Sequence, residues 1–217
     1  MPRRALRRAL LVVAFLTGCG GGSQYVNVEV PPRFDVAMLG TVGLIEFTSN
    51  ADTAVNQYAT QQFQQRLLSA QPRARVVELG TMQSVLAAVG SSRLDGEAVR
   101  KIGRKYEVAG VFHGNIAYGE PAMDVNVRDI SNLRGSMHQT IRGDLYCTFV
   151  EAKSGATLWS SSAWSQRQFG GVAVSQNSIN VGDKSENPRH DMIPGLMQRV
   201  TEDFRGSVVR ERVKSKP

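Results

Sequence analysis

The chain has 217 residues, 26 of them Lys or Arg and 19 Asp or Glu, for a formal charge of +7. Four of the bases, Arg3, Arg4, Arg7 and Arg8, fall before residue 9, so the 199 residues after position 18 carry 22 bases against 19 acids. That balance is too even for the clustered basic face of a nucleic-acid binder. Two cysteines exclude a disulfide framework, and 199 residues are enough for one domain with a real core.

In chain order, the basic start is followed by a wholly apolar run, Ala9 to Leu16. The run is shorter than the roughly 20 residues of a membrane-spanning helix and fits the apolar region of a secretory signal. Leu16-Thr17-Gly18-Cys19 then resembles the lipobox of bacterial lipoproteins. The resemblance implies cleavage between Gly18 and Cys19 and a covalent lipid, palmitate included, on the Cys19 sulfur. Gly20-Gly21-Gly22-Ser23 suits a flexible tether between lipid and domain. Gly20, where aspartate would resemble an inner-membrane retention signal, points by resemblance to the outer membrane, periplasmic face. The expected organisation is therefore a signal peptide over 1–18, a lipidated tether over 19–35, a folded domain over 36–213 and a basic tail over 214–217.

Tyr25 to Arg33 reads as an extended lead-in stopped by Pro31-Pro32. Val42 to Thr48 reads as a buried strand, beginning as early as Val36. Asp52 is a helix N-cap before Val55, Ala59, Phe63 and Leu67, an apolar stripe that Pro72 ends. Arg75 to Leu79 is a short strand. Thr81 caps a helix through Val89, with Gly90 past its end. Asp95 caps the next, where Leu94 and Val99 have the spacing of a hydrophobic staple. Val108 to Tyr118 is a strand, and 119–137 reads as a loop or irregular strand. His138 to Glu151 and Thr157 to Gln168 form a hairpin about Lys153-Ser154-Gly155. Residues from about 169 to 190 are rich in Gly, Ser and Asn and read as a long exposed loop. A last helix starts near Asp191, with Pro194 placed in its first turn.

Helices and strands that interleave before a closing hairpin imply an α/β (α+β) fold, one mixed sheet with helices packed on it. The run from Val42-Gly43-Leu44-Ile45-Glu46-Phe47 through Val76-Val77-Glu78-Leu79, Val99 to Tyr106, Val108 to Gly114 and Glu151 to Trp159 resembles the anticodon-binding-like domain of the CsgG curli-secretion lipoproteins, the LpoB activators of penicillin-binding proteins and the TolB N-terminal domain. The resemblance covers about residues 36–210. It implies a non-enzymatic lipoprotein that binds an envelope partner, such as a peptidoglycan synthase or an assembly complex. The CsgG branch alternatively implies an oligomeric secretion pore. For such a pore, 139–150 offers one alternating run and 172–181 a weaker second, both better explained as sheet and loop.

No catalytic or metal signature stands out. His113, His138 and His190 are scattered, Asp183 and Glu186 are too few for a calcium site, and no serine lies in a Gly-x-Ser-x-Gly elbow. An enzyme acting on envelope polymers would have to draw on acids such as Glu46, Asp144 and Glu151. The expectation is thus no catalytic residue, no metal and no cofactor beyond the lipid on Cys19. Cys147, inside a strand, reads as buried and inert. Trp159 and Trp164 are five residues apart, so one regular strand points them to opposite faces. That spacing gives one to the core and leaves the other as a candidate aromatic anchor for a partner.

Overall fold

The computed structural model describes residues 24–129, 134–175, 178–182 and 187–213. Two compact units emerge, one spanning 31–206 and one built from the segments on either side of it.

The larger unit is a mixed sheet with helices on both faces. Its strands are β2 (Thr41–Ile45), β3 (Thr48–Ser49), β4 (Arg75–Gly80), β5 (Gly110–Tyr118), β6 (Ala122–Asp129), β7 (Arg134–Glu151), β8 (Thr157–Ser175) and β9 (Ser178–Val181). They run in the order β4-β2-β5-β7-β8-β9, with β3 beside β5 and β6 beside β7. β2 is parallel to β4 and β5, β3 is parallel to β5, and the neighbours from β5–β7 outward are antiparallel. The helices are α1 (Thr53–Ala70), α2 (Met82–Ala88), α3 (Gly96–Tyr106) and α4 (Pro188–Val200).

Capping side chains set the helix starts. Asp52, Thr81 and Asp95 accept hydrogen bonds from the amides of Val55, Ser84 and Ala98, at 2.9, 3.2 and 2.9 Å. The last helix begins earlier than the sequence suggests. Asn187 accepts from the His190 amide at 3.1 Å and Pro188 opens the first turn, a stronger start signal than Asp191. Pro194 consequently lies inside α4 rather than in its first turn, where its missing N–H removes one helical hydrogen bond.

Alternation along the strands builds two cores. On one face Leu44, Phe112, Ile116, Leu145, Cys147, Phe149 and Trp159 pack against Val55, Ala59, Phe63 and Leu67 of α1 and against Ile193, Leu196, Met197 and Val200 of α4. On the other face Ile45 and Val111 meet Val85 of α2 and Val99 and Ile102 of α3. The second contact is close because Gly103 of α3 lies against Ala152. A Cβ at residue 103 would stand 2.3 Å from the Ala152 methyl group, so any larger residue must push the helix off the sheet. Cys147 is fully buried, and burial pushes its thiol well above the ordinary range. It is expected to stay unlabelled by a maleimide in the native protein and to react fully in denaturant, as read by intact mass. Labelling of the native protein at the denatured rate would show that the site opens.

The described part of 119–137 takes the irregular-strand alternative, and the described part of 169–190 departs from the loop reading. β6 occupies 122–129 and pairs with the first half of β7. β8 continues to Ser175 and pairs with β9. Alternation of Met123 and Val125 with Asp124 and Asn126 is a period-2 pattern that the polar composition of the segment hid. Gly170 and Gly171, in place of ending the strand, sit within it near the register shift between β7 and β8.

The second unit pairs β1 (Gln24–Val30) with β10 (Ser207–Val213), antiparallel over seven rungs from Gln24–Val213 to Val30–Ser207. The stretch read as a tether therefore contains a strand. Residues 207–213, read as the end of the folded domain, group with that strand and not with 31–206. Val26, Val28 and Val30 alternate with polar residues along β1, and Val28 faces Val209 across the pair. No helix among the described residues is long and apolar enough to cross a membrane.

Candidate interaction face

The helices α2 and α3 cover the part of their sheet face over β4, β2, the start of β5 and the end of β7. Further along, the same face of β5, β7 and β8 opens to solvent beyond the rung His113–Thr148–Ser160, in which Thr148 is still buried. The exposed rungs fixed by strand register are Asn115–Tyr146–Ser162 and Ala117–Asp144–Trp164. Tyr146 and Trp164 are each 53% exposed. They are diagonal neighbours on one face, within reach of each other's side chains.

Trp164 is held in a polar frame. The Arg142 guanidinium lies 5.0 Å from the centre of the indole ring, a cation–π distance. Arg142 is itself oriented by Asp144 through two parallel hydrogen bonds, Nη2 to Oδ1 at 2.7 Å and Nε to Oδ2 at 3.0 Å. Those bonds hold the Asp144 carboxyl below its usual range and raise the Arg142 guanidinium further, so both groups stay charged at any pH the cell meets. Arg199 of α4 donates to the Trp164 carbonyl. The surrounding depression, about 440 Å³, is lined by Asn115, Ala117, Arg142, Asp144, Tyr146, Ser162 and Trp164 among others. Its chemistry is that of a recognition surface, with aromatic area, a planar cation and small hydroxyls.

The other tryptophan does not contribute. Trp159 is 7% exposed, its ring stacked among Phe34, Phe112 and Phe204, and its Nε1 donates to Asp203 at 3.2 Å. As a partner anchor it is corrected to a core residue. The five-residue spacing separated the two faces, but only the helices decide which face is covered.

The candidate acids do not converge. Asp144 and Glu151 are seven residues apart on β7 and so on opposite faces, and Glu151 accepts from the Ser154 hydroxyl at 2.6 Å in the hairpin turn. Glu46 lines a different depression, beside Gln57, Thr60 and Glu78. The histidines are equally dispersed. His113 Nε2 lies 2.7 Å from the Thr148 hydroxyl, and burial lowers its pKa. His138 is 3.5 Å from Asp124, and His190 stacks on Tyr58. Among the described residues no group of three or more His, Cys, Asp or Glu side chains is placed to hold a metal. Gly18 and Cys19 lie outside the described residues, as do Asp183 and Glu186.

No family model matches the sequence, and no curated protein does. Several solved structures are similar. One is the PelC dodecamer from Paraburkholderia phytofirmans, 10% identical, with 84% of this chain and 98% of that one covered and a TM-score of 0.39. Another is a putative neuraminyllactose-binding hemagglutinin homolog from Helicobacter pylori, 15% identical, covering 81% and 87%, TM-score 0.44. A third is the LpoB C-terminal domain from Salmonella enterica, 13% identical, covering 73% and 94%, TM-score 0.36.

Sequence reading missed Arg142 and Tyr146. The signal was present in Arg142-Gly143-Asp144-Leu145-Tyr146, an alternation of polar and apolar residues that marks one exposed face. Arg142 acquires its role only through Trp164, 22 positions along the chain.

Proposed function

We propose that this chain is a non-enzymatic lipoprotein of the bacterial envelope, anchored through acyl groups on Cys19 at the periplasmic face of the outer membrane. It binds a protein partner in envelope assembly, such as a peptidoglycan synthase or an assembly complex, through the open face around Trp164. The lipobox-like Leu16-Thr17-Gly18-Cys19 and the glycine tether support the anchor. The observation that carries the binding reading is the exposed Trp164 and Tyr146 beside a guanidinium locked by Asp144. Trp, Tyr and Arg dominate protein-binding hot spots, and here their orientation is set before a partner arrives.

A photoreactive residue at Gln166, next to Trp164 on the exposed face, tests the site in cells. The expected result is a cross-link to an envelope protein that Trp164→Ala removes. With that partner purified, Trp164→Ala should weaken binding by about 2 kcal/mol or more, roughly thirtyfold. A cross-link undiminished by Trp164→Ala would move the site elsewhere. Intact mass of the membrane-extracted protein tests the anchor separately, and an unmodified Cys19 would remove it.

A second reading, an oligomeric pore subunit, is favoured by one feature. In register, Val125, Met137, Val172 and Val181 form an apolar row across β6, β7, β8 and β9, while Asp124 and His138 pair on the opposite face. That division is the one a membrane barrel needs. β6 has eight residues and β9 four, short of the roughly 9–11 of a spanning strand, so partner binding is preferred. Detergent-resistant rings with single-channel conductance would reverse the preference.

A further inference from the structure

The ribbon of β1 and β10 is a structural element that partner binding at Trp164 does not use. Its register puts Val26, Val28, Val30 and Val209 on one face with Ser207 and Glu211, and Tyr25, Asn27, Glu29, Val208, Arg210 and Arg212 on the other. All four valines of the first face are exposed, and Arg210 lies over the Tyr25 ring on the second. A two-stranded ribbon is marginally stable at best in water, and more strands or a covered apolar face are needed to hold it. Each strand also has an outer edge whose backbone donors and acceptors no strand among the described residues pairs, and such edges are templates for strand addition.

We propose that the ribbon is a self-association element, in which the outer edge of β1 in one copy pairs antiparallel with the outer edge of β10 in the next. The occupant is a second copy of this chain for three reasons. The strands match in length, seven residues each, so every rung can form. Their charges are complementary: β1 carries Glu29 and no base, whereas β10 carries Arg210 and Arg212 against Glu211. Pairing β1 with β10 therefore joins opposite net charges, while β1 with β1, or β10 with β10, joins like charges, which cross-strand contacts penalise. Finally, repeating the intrachain register at the outer edge continues the valine face from copy to copy. A lipid surface would cover that face but leave both edges unpaired. Because every copy offers one edge of each kind, the contact is head-to-tail and closes into a ring when the rotation per copy allows it.

The test uses the full-length chain extracted in mild detergent. Two differently tagged forms are co-produced, one with Asn27→Cys and the other with Arg210→Cys, and treated with a short bismaleimide. Neither form can make the engineered link within itself, so a mixed-tag product above the wild-type background is the expected result. Light scattering of the wild type should report an oligomer. Glu29→Arg should weaken association, roughly two- to fivefold for one exposed charge pair. Adding Arg210→Glu and Arg212→Glu to that form should restore it; because the same residues pair within the ribbon, the mixed-tag cross-link measured on each form separates association from misfolding. A monomeric wild type, or cross-links only between identical tags, overturns the proposal. So does a monomer whose binding to phosphatidylglycerol vesicles is lost with the two arginines, which would make the ribbon a lipid-surface element. None of these readouts depends on the Trp164 face, so the two proposals fail independently.

Discussion

Gln71→Ala should cost about 3–5 kcal/mol of stability, an unusually large penalty for one uncharged polar side chain. Gln71 sits at the C-terminal end of α1, almost wholly buried, and its amide joins three segments. Its Oε1 accepts from the amides of Val36 at 2.7 Å and Ala37 at 3.3 Å. Its Nε2 donates to the carbonyls of Phe34 at 2.7 Å and Phe204 at 3.1 Å. The Ala37 amide has a second acceptor in Asp35, but Val36, Phe34 and Phe204 lose these bonds when the side chain is removed. Each buried group left unsatisfied costs about 1–3 kcal/mol, which sets the total. Gln71→Glu should fare no better, since a carboxylate keeps the acceptor, loses both donors and buries a charge. Thermal unfolding followed by circular dichroism should show a fall in Tm of about 10 °C or more for a chain of this size. A loss under about 1 kcal/mol would mean that water replaces the amide without strain and that the joint is not structural.

Phe112→Ala should destabilise by about 3–5 kcal/mol, from lost transfer energy and an incompletely collapsed cavity. Phe112 is fully buried on β5, with ring centres of Phe149 at 4.7 Å, Phe63 at 5.3 Å, Trp159 at 5.8 Å and Phe204 at 5.9 Å. It thus joins α1, through Phe63, to the 3₁₀ turn Glu202–Phe204 after α4. Urea unfolding read by Trp159 fluorescence, in a Trp164→Phe background, checks the figure. Phe112→Leu should lose less because it leaves a smaller void. The two sites are also coupled. Gln71 fixes the Phe34 backbone, and the Phe34 ring packs on both Phe112 and Trp159. The double variant should therefore lose measurably less than the sum of the singles, and strict additivity would show that Phe34 does not transmit between them.

Much of the domain core was legible because its signals are local. Asp52, Thr81 and Asp95 cap helices where their side chains reach backbone amides three residues on, and the stripe Val55, Ala59, Phe63, Leu67 repeats with the helix turn. Leu94 and Val99 pack in one cluster, as the staple spacing requires. Alternation in β7 identified Cys147 as buried, and the five-residue interval put Trp159 and Trp164 on opposite faces. What the chain carried as local periodicity, capping and spacing, it determined by itself.

Three things were settled only in three dimensions. Which tryptophan is free depended on where α1 and α4 lie, and no residue near either tryptophan records that. β6 and β9 exist through long-range pairing, since strands are stabilised by neighbours across the sheet and the segments themselves are short and polar. The β1–β10 ribbon joins residues about 180 positions apart, so no window along the sequence contains both halves of its signal. The same is true of Arg142 over Trp164 and of Gln71 between Phe34 and Phe204: each side chain has its role because the fold brings distant backbone and rings to it, and hydrogen bonds and stacking act only at contact.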